Sequence, residues 1–229
     1  MKKRTFSTLA TLLMALFFIS ANATAQTTIF FWDFDDAAKQ ALVPPISNYS
    51  PDEGTGTINL IGATFTTFTL GASGLAASAN EWDDGNGTKY WQVQTSTLGF
   101  ENLLLSSAQR SSGTGPRDFT VEYSLNGTDW FDVPGSDITV ANNFTSGVLD
   151  EVALPAACNN QPTLYLRWIM TSNTTVGDGT VGTAGTSRID DMLLTGEDIP
   201  TPVAFPIPLW ALLISVLLMT GAVAFRKRK

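Results

Sequence analysis

The sequence predicts an all-β protein, a two-sheet antiparallel sandwich of the jelly-roll type, with a signal peptide before it and a C-terminal transmembrane helix after it. Many short segments alternate apolar and polar residues and are separated by Gly, Asn, Asp and Pro turns, which is the pattern of a sandwich. Helical periodicity is weak between the two ends. The sequence contains no internal repeat of the kind that solenoids and propellers have. Residues 26–196 are long enough to form one domain with its own core.

The first 25 residues are predicted to be a secretory signal peptide. They contain three positive charges at residues 2–4, an apolar run over residues 9–19 and the small residues Ala-Thr-Ala at 23–25. These are the three parts of an export signal, so we expect cleavage before Gln26. The alternative is a permanent N-terminal membrane helix, but the apolar run is shorter than the roughly 20 residues that span a bilayer.

The strands of the domain follow in chain order after the signal. Residues 118–130 show the clearest alternation, and Asn126-Gly127 supplies a hairpin turn before residues 130–133. Residues 35–42 are a possible short helix. The other predicted strands are residues 28–34, 56–70, 89–97, 100–107, 162–170 and 187–195. The predicted core residues are Phe65, Phe68, Leu70, Trp91, Val93, Phe119, Val121, Tyr123, Leu164, Leu166 and Trp168, with Tyr165 and Arg167 on the opposite face.

The end of the chain is predicted to be a membrane anchor. Residues 197–205 form a linker and residues 206–229 form the hydrophobic anchor with its basic end. The apolar stretch approaches spanning length, an aromatic residue stands at the predicted interface, and the terminal cations should remain cytoplasmic. The residues assigned to this segment are Pro206, Pro208, Trp210, Arg226, Lys227, Arg228 and Lys229.

This tail resembles the C-terminal sorting signals of bacterial PEP-CTERM proteins and their relatives. Those signals combine a proline motif, one hydrophobic helix and an Arg/Lys cluster, and residues 202–229 contain all three parts, although without a Pro-Glu-Pro sequence. The resemblance implies an exosortase-type protease or transpeptidase that cuts the tail and releases the ectodomain or attaches it to the envelope. A plain membrane anchor is the alternative.

Composition excludes several classes of function. The 21 Asp and Glu residues all lie between residues 33 and 198, where there are only six Lys and Arg, so the ectodomain has a formal charge of −15. This charge repels nucleic acid and other anionic polymers, but it could attract divalent cations. The absence of His removes Ser-His-Asp and Cys-His catalysis and His-ligated zinc sites.

Cys158 is the only cysteine, so no intramolecular disulfide forms, and we expect a small buried thiol.

A second resemblance covers most of residues 30–196. The segment 119–130 (FTVEYSLNGTDW) is similar to a hairpin that is common in bacterial surface sandwich domains, and residues 188–196 (RIDDMLLTG) are similar to their closing strand. The opening residues 32–35 (WDFD) and the loop 111–117 fit the same pattern. The resemblance implies a jelly roll related to some carbohydrate-binding modules, but a shared sandwich transfers neither a ligand nor an activity.

Two sets of side chains are candidate sites. Asp33 and Asp35 lie in or just after the first predicted strand, and Asp190 and Asp191 lie in the last. If these strands are neighbours, the carboxylates could bind calcium. The alternative is that these residues are edge charges that prevent aggregation. Trp82, Tyr90 and Trp130 are candidates for stacking against sugar rings, with a role in the core as the alternative.

These observations predict a non-enzymatic cell-surface or extracellular-matrix protein for adhesion or biofilm structure. It would be exported, anchored through its tail with the ectodomain outside, and require no cofactor, although calcium is possible. The alternative function is a carbohydrate-binding module that binds polysaccharide, and a glycan-acting hydrolase is third because no spacing singles out a catalytic carboxylate pair.

Overall fold

The computed structural model describes residues 25–42 and 46–200. The predicted signal peptide, apart from its last residue, and the predicted anchor from Pro206 to Lys229 lie outside these residues. Within the described part of the chain, no helix is both long and apolar enough to cross a membrane. The prediction of a two-sheet antiparallel sandwich is confirmed, since nearly all regular structure is β.

The described residues form thirteen strands, one short α-helix and one 3-10 turn. The helix α1 spans Ala37–Leu42, close to the predicted residues 35–42, and the 3-10 turn spans Ala156–Cys158. The strands are β1 (Gln26–Trp32), β2 (Glu53–Gly54), β3 (Thr57–Ile61), β4 (Thr64–Leu70), β5 (Leu75–Asn80), β6 (Tyr90–Thr95), β7 (Phe100–Ser111), β8 (Asp118–Ser124), β9 (Phe131–Asp132), β10 (Ile138–Thr139), β11 (Gly147–Ala153), β12 (Leu164–Met170) and β13 (Ser187–Asp198).

The first sheet has seven strands and is organised around β13. The strand order is β11-β7-β13-β1-β2. In addition, β5 pairs with one end of β13, and β4 pairs with β5. β7 follows β13 along almost its whole length, while β5 pairs with the beginning of β13 and β1 with its second part. The first strand and the last are therefore antiparallel neighbours, with Gln26 opposite Glu197.

The second sheet has six strands in the order β10-β8-β12-β6-β3, with β9 also paired to β8. The strand pairs β3–β6, β6–β12 and β12–β8 each have a constant register without a β-bulge. Residues in the same row across these four strands therefore point to the same face, because side chains alternate along each strand.

The core lies between the two sheets and is rich in aromatic residues. The predicted inward positions of β6 and β12 are confirmed, since Trp91, Val93, Leu164, Leu166 and Trp168 are all fully buried. The predicted inward positions of β8 are also confirmed: Phe119 and Val121 are fully buried, and Tyr123 packs against the core, as do Phe65 and Phe68 from β4. Leu70 was predicted as a core contact, which is wrong: it is 68% exposed at the end of β4.

Some predicted boundaries differ from the structure. The single segment 56–70 is two strands in different sheets, because the chain turns at Gly62, which has a φ of 78°. Strands β2, β5, β10 and β11 were not predicted. The last strand continues to Asp198, two residues into the predicted linker, because Glu197 pairs with both β1 and β7.

Candidate functional site

The outer face of the six-stranded sheet, named the sugar face after the sugar stacking that the sequence predicts for two of its rings, presents polar and aromatic side chains in ordered rows. One row places Gln92 of β6, Arg167 of β12 and Glu122 of β8 side by side. The next row places Gln94 of β6 beside Tyr165 of β12. Amides, a guanidinium and an aromatic ring on one flat surface are the group types that bind hydroxyl-rich ligands through hydrogen bonds and stacking.

Three rings cluster over this face. Trp130, in the loop between β8 and β9, lies with its ring centroid 6.3 Å from that of Tyr90 and 6.5 Å from that of Tyr165. The guanidinium carbon of Arg167 is 4.1 Å from the Trp130 ring centroid and 4.9 Å from that of Tyr90. Cation–π contact at these distances fixes the two rings, so the cluster is organised before any ligand arrives.

Arg167 is neutralised within the same face. Its Nε donates a hydrogen bond of 2.7 Å to the Glu122 carboxylate, and its Nη2 forms an ion pair with the same carboxylate. Both side chains are largely buried, so the pair has little freedom to rearrange. The pair therefore adds no net charge to the sugar face, while the exposed Asp132 of β9 lies beside Glu122 in the same row.

A polar cleft continues the sugar face towards the edge strand β3. Its volume is about 450 Å³, and Gln94 joins it to the row that contains Tyr165. Hydroxyl and amide groups dominate the lining, which is typical of a surface that exchanges water for polar ligand groups. The cleft is lined by Asn48, Thr55, Gly56, Thr57, Gln94, Thr95, Ser96, Pro162 and Thr163.

The structure separates the three rings that were proposed for sugar stacking. Tyr90 and Trp130 are half-buried neighbours on the sugar face. Trp82 is 0% exposed: its Nε1 donates to the Ala79 carbonyl at 3.1 Å, so its proposed role in stacking against a sugar is wrong. Tyr165 completes the cluster and was not proposed, although its predicted outward position on β12 was a signal that could have identified it.

The predicted calcium ligands converge in part. Asp35 and Asp190 both reach the loop of residues 71–75, which joins β4 to β5 and includes the first residue of β5. The Asp35 carboxylate accepts a hydrogen bond of 2.7 Å from the Leu75 amide, and Asp190 accepts one of 2.8 Å from the Ala72 amide. Asp191 accepts a hydrogen bond from the Ser73 hydroxyl of the same loop at 3.0 Å.

Asp33 lies apart from these contacts. Its own carboxylate accepts a hydrogen bond of 3.0 Å from the Asp35 amide. Its backbone amide donates a hydrogen bond to the Asp52 carboxylate, which also forms an ion pair with Lys39 at 2.7 Å. Burial, followed by the neighbouring Asp52, raises the pKa of Asp33. In the described ranges, no group of three or more acidic or cysteine side chains is positioned to hold a metal ion. Calcium binding stays a prediction of the sequence.

Asp190 is the most perturbed carboxyl in this region. It is 0% exposed, and burial together with the nearby Asp191 raises its pKa to about 7, against the hydrogen bonds from backbone amides that lower it. A carboxyl with such a pKa could serve as a general acid, but the side chain is enclosed by the loop of residues 71–75 and cannot reach a substrate. It holds this loop by accepting hydrogen bonds from the amides of Ala72 and Ser73.

The comparisons with known proteins identify no family for this chain. No protein-family model and no curated protein matches it. Among solved structures it is similar to a CBM4 structure, at 12% identity and a TM-score of 0.42 over 62% of this chain and 87% of that one. It is also similar to the K2 cleaved adhesin domain of Lys-gingipain, at 12% identity and a TM-score of 0.41 over 74% and 97% of the two chains.

A third similar structure is the N-terminal cellulose-binding domain of the β-1,4-glucanase C of Cellulomonas fimi. The identity is 14% and the TM-score 0.36, over 69% of this chain and all of that one. Similarities at these TM-scores carry no argument about the ligand of this chain.

Proposed function

We propose that this protein binds a neutral polysaccharide on the sugar face and has no catalytic activity. The observation that carries the proposal is the cluster of Trp130, Tyr90 and Tyr165, held in place by Arg167. Aromatic rings fixed in this way can stack against the apolar faces of sugar rings at little entropic cost.

Neighbouring polar groups supply the second half of the interaction. Gln92 and Gln94 lie in the same rows as Arg167 and Tyr165, so amide donors and acceptors stand next to the rings. The polar cleft extends this surface beyond the ring cluster by a volume of about 450 Å³. A chain of several sugar units, rather than a single sugar, would occupy a surface of this extent. Glu122 neutralises Arg167 and Asp132 adds a negative charge beside the pair, so the face favours a chain without anionic groups.

Display at the cell surface belongs to the same proposal. The predicted export signal and sorting tail would place the sugar face outside the cell, where polysaccharide is the available polymer. Binding there would serve adhesion or matrix structure, and the tail would anchor the domain or direct its attachment to the envelope.

A binding assay with the full chain in nonionic detergent tests the proposal. Depletion onto insoluble neutral polysaccharides (β-1,4-glucan, β-1,3-glucan, xylan and agarose) would identify a ligand and its affinity. Trp130→Ala should then weaken binding about ten-fold or more, the loss that is typical of a central aromatic contact, while Trp130→Phe retains most of it. No reducing ends should be released from any polymer.

Phe144→Ala is the matched control. Phe144 is also half-buried and its ring also lies near an arginine, with the Arg110 guanidinium carbon 5.9 Å from its centroid. It lies in the loop between β10 and β11, next to an arginine of the seven-stranded sheet. Its removal should leave polysaccharide binding unchanged. Wild-type protein that binds none of the four polymers, or a Trp130→Ala variant that binds as well as wild type, would refute the proposed function.

A further inference from the structure

Two of the six basic residues of the ectodomain differ from the other four in their surroundings. Four of them form ion pairs with carboxylates, whereas Arg110 and Arg188 have no carboxylate partner in the part of the chain that the structure describes. The four ion-paired residues are Lys39 with Asp52, Lys89 with Asp83, Arg117 with Asp118 and Asp178, and Arg167 with Glu122. With 21 acidic residues available, two arginines without such a partner need an explanation.

These two arginines are also direct neighbours. Arg188 of β13 and Arg110 of β7 are cross-strand partners in the seven-stranded sheet. Both side chains lie on its outer face, because the alternating positions Gln109 and Ser187 are buried in the interior. Like charges directly opposite each other destabilise a sheet, so this arrangement has an electrostatic cost that no ion pair with a carboxylate of residues 25–42 or 46–200 offsets.

Neutral groups hold both guanidinium groups in place. Arg110 donates from Nε and Nη2 to the Asn142 side-chain oxygen at 3.0 and 2.7 Å. Arg188 donates from Nη1 to the Leu70 carbonyl at 3.0 Å. Each guanidinium has five N–H donors, so both keep donors that these acceptors do not use. The two groups are therefore oriented without being neutralised.

A small cleft separates the two side chains. Its volume is about 20 Å³, enough for one water molecule or one oxygen atom of a ligand. Ser112 and Thr186 line the same cleft as the two arginines, and the Ser112 hydroxyl accepts a hydrogen bond of 3.0 Å from the Thr186 amide. Hydroxyls next to paired guanidinium groups are donors that suit a negatively charged oxygen.

We propose that Arg110 and Arg188 form a binding site for an oxyanion, a carboxylate or sulfate group that is carried on an acidic polysaccharide. A planar guanidinium can bind such a group through two parallel hydrogen bonds, and a bound anion would offset the repulsion between the two arginines. The site lies on the opposite sheet from the sugar face and is independent of the function proposed above.

The negative charge of the whole ectodomain does not prevent this interaction. At physiological ionic strength, charges on the surface are screened over about 8 Å, so a bound group senses mainly its near neighbours. Tight binding of nucleic acid depends on many simultaneous phosphate contacts, whereas the two cations of this site suit a single carboxylate or sulfate group of a polymer.

The test uses the full chain in nonionic detergent with polygalacturonate as the probe. Arg110→Gln and Arg188→Gln should each weaken binding about ten-fold, which is the effect expected for the loss of a charge-assisted contact. Arg117→Gln is the matched control, since Arg117 is ion-paired to Asp118 and Asp178, and its binding should equal that of wild type. Equal binding by all variants, or equal loss in Arg117→Gln, would overturn the proposal.

A second readout does not depend on the polymer. Sodium sulfate should raise the melting temperature of wild type and of Arg117→Gln more than that of Arg188→Gln, at matched ionic strength. A sulfate effect together with polygalacturonate binding supports the site as proposed. A sulfate effect without polygalacturonate binding would overturn the proposal that the oxyanion is carried on a polysaccharide. It would indicate that the site binds a free anion. Self-association that is lost in Arg110→Gln would also overturn it, because the bound carboxylate would then belong to a second copy of the chain.

Discussion

The enclosed carboxyl of Asp190 makes the stability of the protein depend on pH. Its side chain is 0% exposed and its pKa is raised to about 7 from an ordinary value of 3.8, chiefly by burial and next by Asp191. The folded state therefore holds the proton more tightly than the unfolded state does. Between pH 4 and pH 7 the unfolded chain has lost this proton while the folded protein retains it, so the free energy of unfolding falls as pH rises through this window.

The size of the effect follows from the two pKa values. Each pKa unit corresponds to about 1.4 kcal/mol, so a pKa of about 7 against 3.8 gives a loss of about 4 kcal/mol across the window as an upper value. Asp190→Asn removes the titrating group but keeps an oxygen that can accept the hydrogen bonds from the amides of Ala72 and Ser73. The variant should therefore lose much of this pH dependence.

The measurement is urea unfolding of the full chain in nonionic detergent and EDTA, from pH 4.5 to pH 8. Tryptophan fluorescence reports the free energy of unfolding of wild type and of Asp190→Asn at each pH. The stability of Asp190→Asn relative to wild type should increase with pH and become constant above about pH 7.5. Asp137→Asn, at an exposed position, should follow wild type. A difference between Asp190→Asn and wild type that does not change with pH would refute the reasoning. If added calcium abolishes the wild-type slope, the calcium prediction gains support.

Two further predictions concern single positions. Burial raises the pKa of the Cys158 thiol to about 12, so it should react with a thiol reagent only after unfolding; fast labelling of folded protein, followed by mass spectrometry, would contradict this. Gly74→Ala should destabilise the fold by about 2–4 kcal/mol in urea unfolding, because its φ is 60° and a Cβ there would lie 2.1 Å from the Asp35 carboxylate. Gly87→Ala, at a φ of 71° with nothing within 4 Å, should cost only about 1 kcal/mol, and equal losses would show that the Asp35 contact is unimportant.

Much of the sandwich could be predicted from the sequence because alternation is a local property. The inward and outward sets of β8 and β12 were identified correctly, since burial of one face of each strand leaves a period of two in the sequence. β5 was missed because its residues, Leu-Ala-Ala-Ser-Ala-Asn, are mostly small and show no alternation, and the structure buries both of its faces.

The candidate sites depend on strand order, which the sequence does not specify. Trp82 stands beside an Asp- and Gly-rich turn that suggests exposure, yet the chain folds it between Trp91 and Phe119 in the core. The pairing of Arg110 with Arg188 joins residues 78 positions apart and requires the register of β7 and β13. No local pattern encodes that register, so neither site could be completed before the sheets were known.

The position of β13 determines how the domain would respond to mechanical load. A pull on the C-terminal end at Asp198 acts along the strand axis, and β7 is hydrogen-bonded along almost its whole length. Because these hydrogen bonds lie perpendicular to the strands, such a force loads many of them together in shear and does not peel them one at a time. β1 and β5 hold the other side of the same strand. A domain tethered through this end would therefore resist extension while its sugar face, on the other sheet, holds a polymer under tension.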